Sequence, residues 1–367
     1  MKLGFVYAGG RVDRLEELKK NPKSIPSDFF YGALELERNG DEVLYDEVDE
    51  LSVSRLLRWL DHNWGLWFPV RFSLAHFVAC LPHLEKWNGC DCIVATNSRA
   101  GMSLGLLKKL GRLRTPIVTI HCGIVNCTHT PWRRRLTAPL MKVQEVFLFA
   151  ETERQPMAEA FSIPDDRFHV CDFGVDTDYW GNSEAEGDFV FAAGNDGRRD
   201  FETFVKAASA SSYPHKLLTK LSVKTPFPAN LDHVRSGWKD ASVSDGDLRD
   251  LYQNSRCVVV PLLDTWQPSG QSVALQAMSC GRPVILTKTK GFWLHPEFEE
   301  GNHVLFFEPG NEKQLAEKVR FLMENPTEAR RIGKNGREVM LKHYSIQNFA
   351  DHIKSACQFA IKRNANL

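Results

Sequence analysis

The sequence predicts an α/β protein built from two Rossmann-like domains, each a parallel sheet with helices on both faces. The chain has 367 residues, which is more than one hydrophobic core readily organises and suits two domains of about 150–200 residues each. Short β-rich runs alternate with longer runs in which apolar residues recur at helical spacing, as in repeated β-α-β units. The alternation occurs in two series, separated between residues 172 and 187 by a cluster of turn-forming and acidic residues.

The first series opens with a short apolar run that stops at the glycine pair Gly9-Gly10. We predict its strands at residues 2–7, 42–45, 92–96, 116–120 and 146–150, and its helices at 27–39 and 101–110. The second series follows the separating cluster. We predict its strands at residues 189–193, 216–221, 257–261 and 282–287, and its helices at 200–210, 248–254, 273–279, 312–324, 327–343 and 346–361.

The overall composition is that of an ordinary globular protein, with 43% hydrophobic and 25% charged residues and no net charge. A neutral chain offers no bulk attraction to nucleic acid, so we expect no nucleic-acid partner. No run of 18 apolar residues occurs, and the nine cysteines show neither CxxC pairing nor metal-ligand spacing with histidine. We therefore expect a cytoplasmic protein with reduced thiols and no metal site.

The connection between the predicted strand at 257–261 and the next helix has the features of a phosphate-binding loop. Its sequence is Pro-Ser-Gly-Gln-Ser, so Ser269 or Ser272 is expected to cap the helix, and Gly270 lets the backbone approach an anion closely. Amide groups of the first turn, aided by the helix dipole, would then bind a diphosphate. These amides belong to Gly270, Gln271, Ser272 and Val273. An ordinary connection with glycine at its turn would have the same pattern.

Residues 268–285, with the sequence PSGQSVALQAMSCGRPVI, resemble the donor-site signature of glycosyltransferase family 4. Three further segments stand in the order and spacing of that family. They are residues 173–178 (FGVDTD), 193–200 (AGNDGRRD) and 243–252 (VSDGDLRDLY). The similarity covers nearly all of the C-terminal half of the chain and is weaker in the N-terminal half.

The resemblance implies a GT-B fold, in which two Rossmann-like domains face each other across a cleft. Residues 1–172 would form the acceptor-side domain and residues 173–345 the nucleotide-sugar-binding domain, with a last helix in 346–367 crossing back to the first domain. It implies a hexosyltransferase-like enzyme (EC 2.4) that moves a sugar from a nucleotide-diphosphate sugar to an acceptor. Such an enzyme needs no cofactor beyond this co-substrate and no metal ion.

The chain departs from the family at two glutamates that the signature carries eight positions apart. At those positions stand Pro268 and Gln276. Gln276 keeps an acceptor and adds donors, so it can still hydrogen-bond ribose hydroxyls, as the second glutamate does in the family. Pro268 has no polar side chain for the donor sugar. We therefore expect the nucleotide end of the site to be intact and the sugar end to be altered, which leaves the sugar and the stereochemistry open.

The resemblance also assigns roles to a basic pair after the predicted strand at 189–193. Arg199 aligns with the family lysine that neutralises the diphosphate, and a guanidinium fork suits phosphate oxygens. Asn195 stands where the family more often has arginine, so Arg198 is expected to compensate. The alternative is a solvated basic turn before a helix.

His121 ends the predicted strand at 116–120, at the edge of a parallel sheet where such sheets bind ligands. It resembles the family histidine that meets the donor sugar, and the loop of Gly9 and Gly10 borders the donor and acceptor pocket in that family. Arg199 and His121 are thus the expected catalytic residues, with Arg199 and the first-turn amides stabilising charge on the leaving diphosphate. For His121 the alternative is a structural core histidine.

Two other functions remain open. A catalytically silent GT-B scaffold that binds a nucleotide or a partner would also lack the two glutamates. A dinucleotide-dependent oxidoreductase is disfavoured, because no GxGxxG with a following ribose-binding acid comes after the first strand.

The N-terminal half carries a local excess of positive charge, since residues 55–142 contain thirteen lysines and arginines but only three acids. Aromatic residues lie among them. These are Trp59, Trp64, Trp67, Phe68, Phe72 and Phe77, and Trp132 before Arg133, Arg134 and Arg135. Such a composition suits an anionic membrane surface, at the inner face of the membrane, or a lipid-linked acceptor. A cell-surface glycan precursor is the other acceptor considered. The alternative is that the aromatic residues pack into the N-terminal core beneath a solvated basic face.

Overall fold

The computed structural model describes residues 1–21, 23–125, 130–237 and 242–366, which form two compact units. Unit 1 consists of Met1–Lys20, Ser27–Asp172 and Ile346–Leu367, and unit 2 consists of Asn21–Pro26 and Phe173–Ser345. Each unit contains a six-stranded sheet whose neighbouring strands are parallel. The prediction of an α/β protein with two Rossmann-like domains is confirmed.

The strands of unit 1 alternate with helices along the chain. The strands are β1 (Lys2–Tyr7), β2 (Glu42–Glu47), β3 (Cys92–Ala95), β4 (Ile117–His121), β5 (Glu145–Leu148) and β6 (Phe168–Val170). They lie side by side in the order β2-β1-β3-β4-β5-β6. Every residue of β3, β4 and β5 is buried, as expected for central strands with helices on both faces.

Helices α1 to α8 of unit 1 come before β6 in the sequence. They are α1 (Arg11–Lys20), α2 (Ala33–Arg38), α3 (Arg55–Trp64), α4 (Leu74–Cys80), α5 (Leu84–Asn88), α6 (Ser98–Lys109), α7 (Pro131–Met141) and α8 (Arg154–Phe161). The expectation of one helix over residues 27–39 is wrong. Tyr31 and Gly32 both adopt left-handed backbone angles, with φ of 54° and 76°, so only a short 3-10 turn precedes α2.

Unit 2 repeats the alternation, with six strands and five helices in the residues that the structure describes. The strands are β7 (Phe189–Ala193), β8 (His215–Leu218), β9 (Leu231–Val234), β10 (Ser255–Val260), β11 (Val284–Thr287) and β12 (Leu305–Phe307), in the order β12-β11-β10-β7-β8-β9. The helices are α9 (Phe201–Ser209), α10 (Asp245–Gln253), α11 (Gln271–Ser279), α12 (Glu312–Glu324) and α13 (Pro326–His343). Side chains of α9, α12 and α13 pack on β7, β10 and β11 in one continuous apolar core.

The last helix, α14 (Ile346–Ala365), packs on unit 1 although the segment before it belongs to unit 2. The Lys354 ammonium lies 2.8 Å from the Asp41 carboxylate, and Arg363 pairs with Asp166 at 2.9 Å. Close packing of this helix also explains the break before α2, because a methyl group on Gly32 would lie 2.7 Å from Cα of Ala350.

In the part of the chain that the structure describes, no helix combines the length and apolar character needed to cross a membrane. The eight cysteines in that part are free thiols. Cys127 lies outside the described residues.

Candidate functional site

Helix α11 begins directly after the loop in which the sequence predicts a phosphate site. Its N-cap is Gly270, which has a left-handed φ of 79° and no side chain with which to cap the helix. The expectation that Ser269 or Ser272 caps this helix is therefore wrong, since Ser269 precedes the N-cap and Ser272 lies within the helix. The Ser269 hydroxyl instead donates to the Asp196 carboxylate at 2.7 Å. A helix start of this kind presents its first-turn amides and its positive dipole end to an anion.

Two glycines bring the backbone close to the guanidinium of Arg199. A methyl group on Gly270 would overlap Cγ1 of Val260 in β10 and lie 3.4 Å from Nη1 of Arg199. A methyl group on Gly194, which follows β7, would lie 2.5 Å from Nε of the same arginine. Arg199 therefore packs between the loops that follow two neighbouring strands, β7 and β10, at the carboxyl edge of the sheet.

The side chain of Arg199 is buried, with 9% of the residue exposed, and its one carboxylate partner among the described residues is Asp196. Its Nε lies 2.6 Å from Oδ2 of Asp196. Its Nη1 is buried and has no hydrogen-bond partner among the residues that the structure describes. A buried donor without a partner is unfavourable by about 1–3 kcal/mol, more for a charged group, so this atom is suited to receive a ligand anion.

Asp196 connects the three polar groups of this site. Its carboxylate accepts from Arg199, from the Ser269 hydroxyl and from the Arg198 amide, the last at 3.1 Å. Burial acts to raise the pKa of Asp196, but Arg199 and Ser269 outweigh it, so the pKa lies below its ordinary value. Sequence reasoning missed Asp196, although its position three residues before Arg199 is a signal for an acid–base pair.

Arg198 and Asn195, which the sequence analysis also singles out, lie in the same loop as Arg199 but bind other groups. Arg198 directs Nε to Oε1 of Gln267 at 3.2 Å, next to the α11 loop. Asn195 binds backbone instead, since its side chain donates to the Ser236 carbonyl at 3.0 Å and accepts from the Lys220 amide at 2.7 Å. Arg198 thus lies beside the loop of Gly270, whereas Asn195 stabilises the end of β8.

Gln276 lies in the middle of α11 and is only 3% exposed. The hydroxyl of Tyr252, itself fully buried, donates to its Oε1 at 3.3 Å. Pro268 is also buried and precedes Ser269, whose carbonyl accepts from the Trp293 indole at 2.9 Å. Trp293 is a second residue that sequence reasoning missed, because its contact with the loop joins positions 24 residues apart.

In unit 1 the turn of Gly9 and Gly10 leads into α1, and a carboxylate already occupies the start of that helix. Glu47, at the end of β2, accepts from the amides of Gly10, Arg11 and Val12 at 2.5, 2.9 and 3.0 Å. A dinucleotide fold would place the pyrophosphate at this helix start. The capping by Glu47 therefore disfavours the oxidoreductase interpretation further.

His121 ends β4 and is completely buried. Its Nδ1 lies 3.0 Å from the Ser98 hydroxyl at the start of α6, and its Nε2 is buried without a partner among the described residues. Burial lowers the pKa of His121 to about 3, so its imidazole is neutral near pH 7. Nearby, Glu153 accepts from the Gly123 amide at 2.6 Å, and burial raises the pKa of this carboxyl to about 8.

Helix α3 and the turn after it expose large apolar side chains, which we call the α3 surface. Trp59, Trp64 and Trp67 are 54%, 53% and 68% exposed. The other members are Leu56, Leu66 and, from α7, Trp132, whose ring lies 5.7 Å from that of Trp67. None of the ten residues of α3 is buried. The alternative that these tryptophans pack into the core is therefore wrong for Trp59, Trp64 and Trp67.

The other aromatic and basic residues of this region differ in their burial and contacts. Phe72 and Phe77 are partly buried and pack on apolar clusters of unit 1, as the core interpretation predicted. Arg133 is held by the backbone, because its Nε donates to the Phe68 carbonyl at 3.0 Å. Arg134 and Arg135 are exposed. Helix α7 thus carries an exposed tryptophan of the α3 surface, Trp132, and two exposed arginines.

One group of side chains in unit 2 has the composition of a metal site. The ligand atoms of His295, Glu297 and His343 lie within 4.8 Å of one another. The two imidazole rings, however, are stacked with centroids 3.7 Å apart and planes 17° apart. Because a ring nitrogen directs its lone pair in the ring plane, one ion cannot lie in both planes. The Lys342 ammonium also lies 2.8 Å from the Glu297 carboxylate, so the group forms an ion-pair cluster.

Comparison with known families finds a match for most of the C-terminal half of the chain. Residues 198–355 match the family described as glycosyl transferase-like, and this range contains Arg199 and all of α11. The two parallel six-stranded sheets are those of the GT-B fold. Residues 198–355 belong to the glycosyl transferase-like family. No protein of curated function matches this glycosyltransferase by sequence.

Solved structures with the same fold span the whole glycosyltransferase. HepE of Anabaena, solved with UDP, is 14% identical with a TM-score of 0.68, and the match covers 98% of this chain and 100% of that one. A sucrose-phosphate synthase of Thermosynechococcus elongatus is 15% identical with a TM-score of 0.71, over 99% and 100%. A glycosyltransferase of Rickettsia africae is 13% identical with a TM-score of 0.66, over 98% of each chain. These likenesses establish the GT-B fold.

We predict that Arg199→Ala weakens nucleoside-diphosphate binding by this glycosyltransferase by about 1.5–3 kcal/mol, the range for a hydrogen bond to a charged group. The buried Nη1 would no longer be available to the diphosphate. Isothermal titration calorimetry with UDP and GDP measures the change, and Arg199→Lys should recover part of the lost affinity because it restores the charge.

The matched control is Arg320→Ala, an exposed arginine on α12. It should bind as the wild type does. A melting temperature recorded for each variant separates lost binding from lost folding, since the Arg199 substitution leaves Asp196 without its ion pair. Unchanged affinity in a folded Arg199→Ala variant would contradict the assignment of the site.

Proposed function

We propose that this nucleotide-sugar-dependent glycosyltransferase moves a hexosyl unit from a nucleoside-diphosphate sugar to a lipid-linked acceptor or glycan precursor, without a metal ion. The observation that carries the proposal is the unpartnered Nη1 of Arg199, buried 3.4 Å from the position of a methyl group on Gly270 at the start of α11. A cation and a helix start that converge in this way suit a diphosphate.

The donor is proposed to be a uridine diphosphate sugar. HepE of Anabaena has been solved with UDP, with UDP and glucose and with UDP-glucose. In this chain Gln276 would contact the ribose, although its Oε1 already accepts from Tyr252. Pro268 offers the sugar no polar side chain, so we propose that other groups hold the sugar itself.

The chemical step depends on stabilising the leaving diphosphate as its negative charge grows. Arg199 and the amides of Gly270, Gln271, Ser272 and Val273 are proposed to supply this electrostatic stabilisation, with Arg198 and Ser269 bordering the site. A preorganised cation and helix dipole can serve in place of a divalent ion. Asp196 holds Arg199 in position rather than contacting the donor.

His121 is proposed to contact the donor sugar, and Gly9 and Gly10 are proposed as donor-binding residues. Because its pKa is lowered to about 3, its neutral imidazole is a poor proton acceptor near pH 7. Its unpartnered Nε2 can take part in a hydrogen bond with a sugar hydroxyl. We therefore assign it to sugar positioning and not to proton transfer.

The acceptor is proposed to lie at an anionic membrane surface, at its cytoplasmic face. The α3 surface includes Trp132 of α7, and the same helix carries the exposed Arg134 and Arg135. Amphipathic segments with this pairing of aromatic and basic side chains bind the interface of anionic bilayers. The free thiols of the described residues agree with a reducing compartment.

We predict turnover of at least one UDP-sugar, as hydrolysis or as transfer to a lipid acceptor, and we expect EDTA to leave this turnover unchanged. The expectation follows from the use of Arg199 and helix α11 in place of a metal ion. A panel of nucleotide sugars, assayed by release of the nucleoside diphosphate with and without EDTA, tests it. Binding without turnover of any donor would favour a silent scaffold, and activity lost in EDTA but restored by a divalent ion would contradict metal independence.

We predict that the wild type floats with vesicles containing anionic lipid at low salt, and that binding falls steeply as salt screens the basic side chains. Arg134→Gln with Arg135→Gln should weaken flotation by about 1 kcal/mol for each residue. Trp64→Ala with Trp67→Ala should weaken it further, with little change in melting temperature because these side chains are exposed.

The matched control for the tryptophans is Phe359→Ala, which removes a 58% exposed aromatic ring from α14. This variant should float as the wild type does. A wild type that stays unbound at low salt would contradict the membrane proposal and favour a water-soluble acceptor.

A further inference from the structure

A cavity of about 260 Å³ lies in unit 2 at the amino ends of β7, β10 and β11. Its walls are the segment of residues 182–187 before β7, the turn of residues 281–283 before β11, and the N-terminal part of α13. Gly194, Arg199 and Gly270 lie at the carboxyl ends of the same strands. The sheet is parallel, so the cavity and the proposed diphosphate site occupy opposite edges of it.

The inner wall of the cavity contains two guanidinium groups that lack a carboxylate partner among the described residues. Arg282 is only 6% exposed, and its hydrogen bonds go to backbone carbonyls, including that of Ala185 at 2.7 Å. Arg256 donates from Nε to the Gly187 carbonyl at 2.6 Å. Its Nη1 is buried and has no hydrogen-bond partner in the described part of the chain.

These two cations also repel each other. Burial is the main cause that lowers the pKa of Arg282, and Arg256 also acts to lower it, whereas the Glu184 carboxylate acts in the opposite direction. Arg282 has no ion pair among the described residues, and the backbone carbonyls that accept from it compensate only part of its lost hydration. An anion between the two groups would remove the repulsion and supply the missing acceptor for Nη1 of Arg256.

Helix α13 adds three cations to the rim of the cavity. Arg330, Lys334 and Arg337 recur at a spacing of four and three residues, which places them on one helix face. With Arg256 and Arg282 they make five cations in the lining, against three carboxylates, Glu184, Glu186 and Glu338. The difference is two positive charges. Glu186 is already paired with Arg330, whereas Lys334 has no ion pair among the described residues.

We propose that this cavity is a second anion site, which binds inorganic phosphate or the phosphate group of a small phosphomonoester. Guanidinium groups bind phosphate oxygens through two parallel hydrogen bonds, and Lys334 would add a third cation at the rim. The volume is smaller than the about 300–1,000 Å³ typical of sites for drug-sized ligands. It suits a phosphate with a small organic group and excludes a whole nucleotide sugar.

The test is a titration of the full-length protein with inorganic phosphate and with glycerol 3-phosphate at constant ionic strength, by calorimetry. Arg256→Gln should weaken binding about tenfold or more by removing a charged hydrogen-bond donor. Lys334→Glu should weaken it comparably, and its folding is not at risk because Lys334 is exposed. Melting temperatures with and without phosphate give a second readout, since a ligand of the folded state stabilises it.

Two control variants distinguish this site from others. Lys313→Glu changes an exposed lysine on α12, outside the cavity, and should bind phosphate as the wild type does. Arg199→Gln changes the proposed diphosphate site and should retain binding in the cavity, so the two proposals can fail separately. Equal affinities for the two ligands identify the phosphate group alone, and tighter binding of the monoester shows that the cavity also takes its organic part. No binding by the wild type, or binding that survives both Arg256→Gln and Lys334→Glu, would overturn the proposal.

Discussion

The ion pair between Asp196 and Arg199 is the interaction on which the proposed diphosphate site depends. Asp196 accepts from the Arg199 side chain and from the Ser269 hydroxyl, so a single carboxylate holds the loops after β7 and β10 together. It neutralises Arg199 on one side only. The opposite side of the guanidinium retains a buried donor beside the start of α11, and a donor in that position suits an anionic ligand.

Backbone pairing keeps this ion pair in place. Arg199 and Leu262 form an antiparallel bridge, and the amides of Asp200 and Leu263 donate across the two loops to Pro261 and Arg198, each at 2.9 Å. The pairing extends β10 beyond the end of the sheet and leaves little freedom to the basic turn. Groups held in this way need little reorganisation when a charged ligand arrives, which is the condition for strong electrostatic stabilisation.

The sequence predicts those parts of the protein that depend on local patterns. The apolar runs at residues 2–7 and 189–193 are strands with the predicted bounds, and α11 starts two residues before its predicted first residue. The short strands β6, β9 and β12 escaped prediction, because three or four residues carry too little periodicity to separate strand from loop. The predicted helix over residues 27–39 is interrupted where α14 packs against Gly32, a contact with residues more than 300 positions away.

The candidate site likewise contains residues that local sequence patterns predict and contacts that they do not. Arg199, Gly270 and Gln276 could be named from motif spacing, since each follows a predicted strand or lies in the helix after it. The partners of these residues could not. Asp196 binding Ser269, Tyr252 binding Gln276 and Glu47 capping α1 each join segments at least 24 residues apart. Their side chains meet only after the sheet has formed, so a single sequence carries no local signal for the contact.

Hydrogen–deuterium exchange of the backbone with and without UDP tests the central claim most directly, because it reports on the amides themselves. We predict that UDP slows exchange in peptides covering residues 194–200 and 266–276, where Arg199 and the start of α11 lie. Peptides covering residues 8–14, whose amides Glu47 already caps, should change little. Protection confined to residues 8–14, with none at the start of α11, would contradict the account.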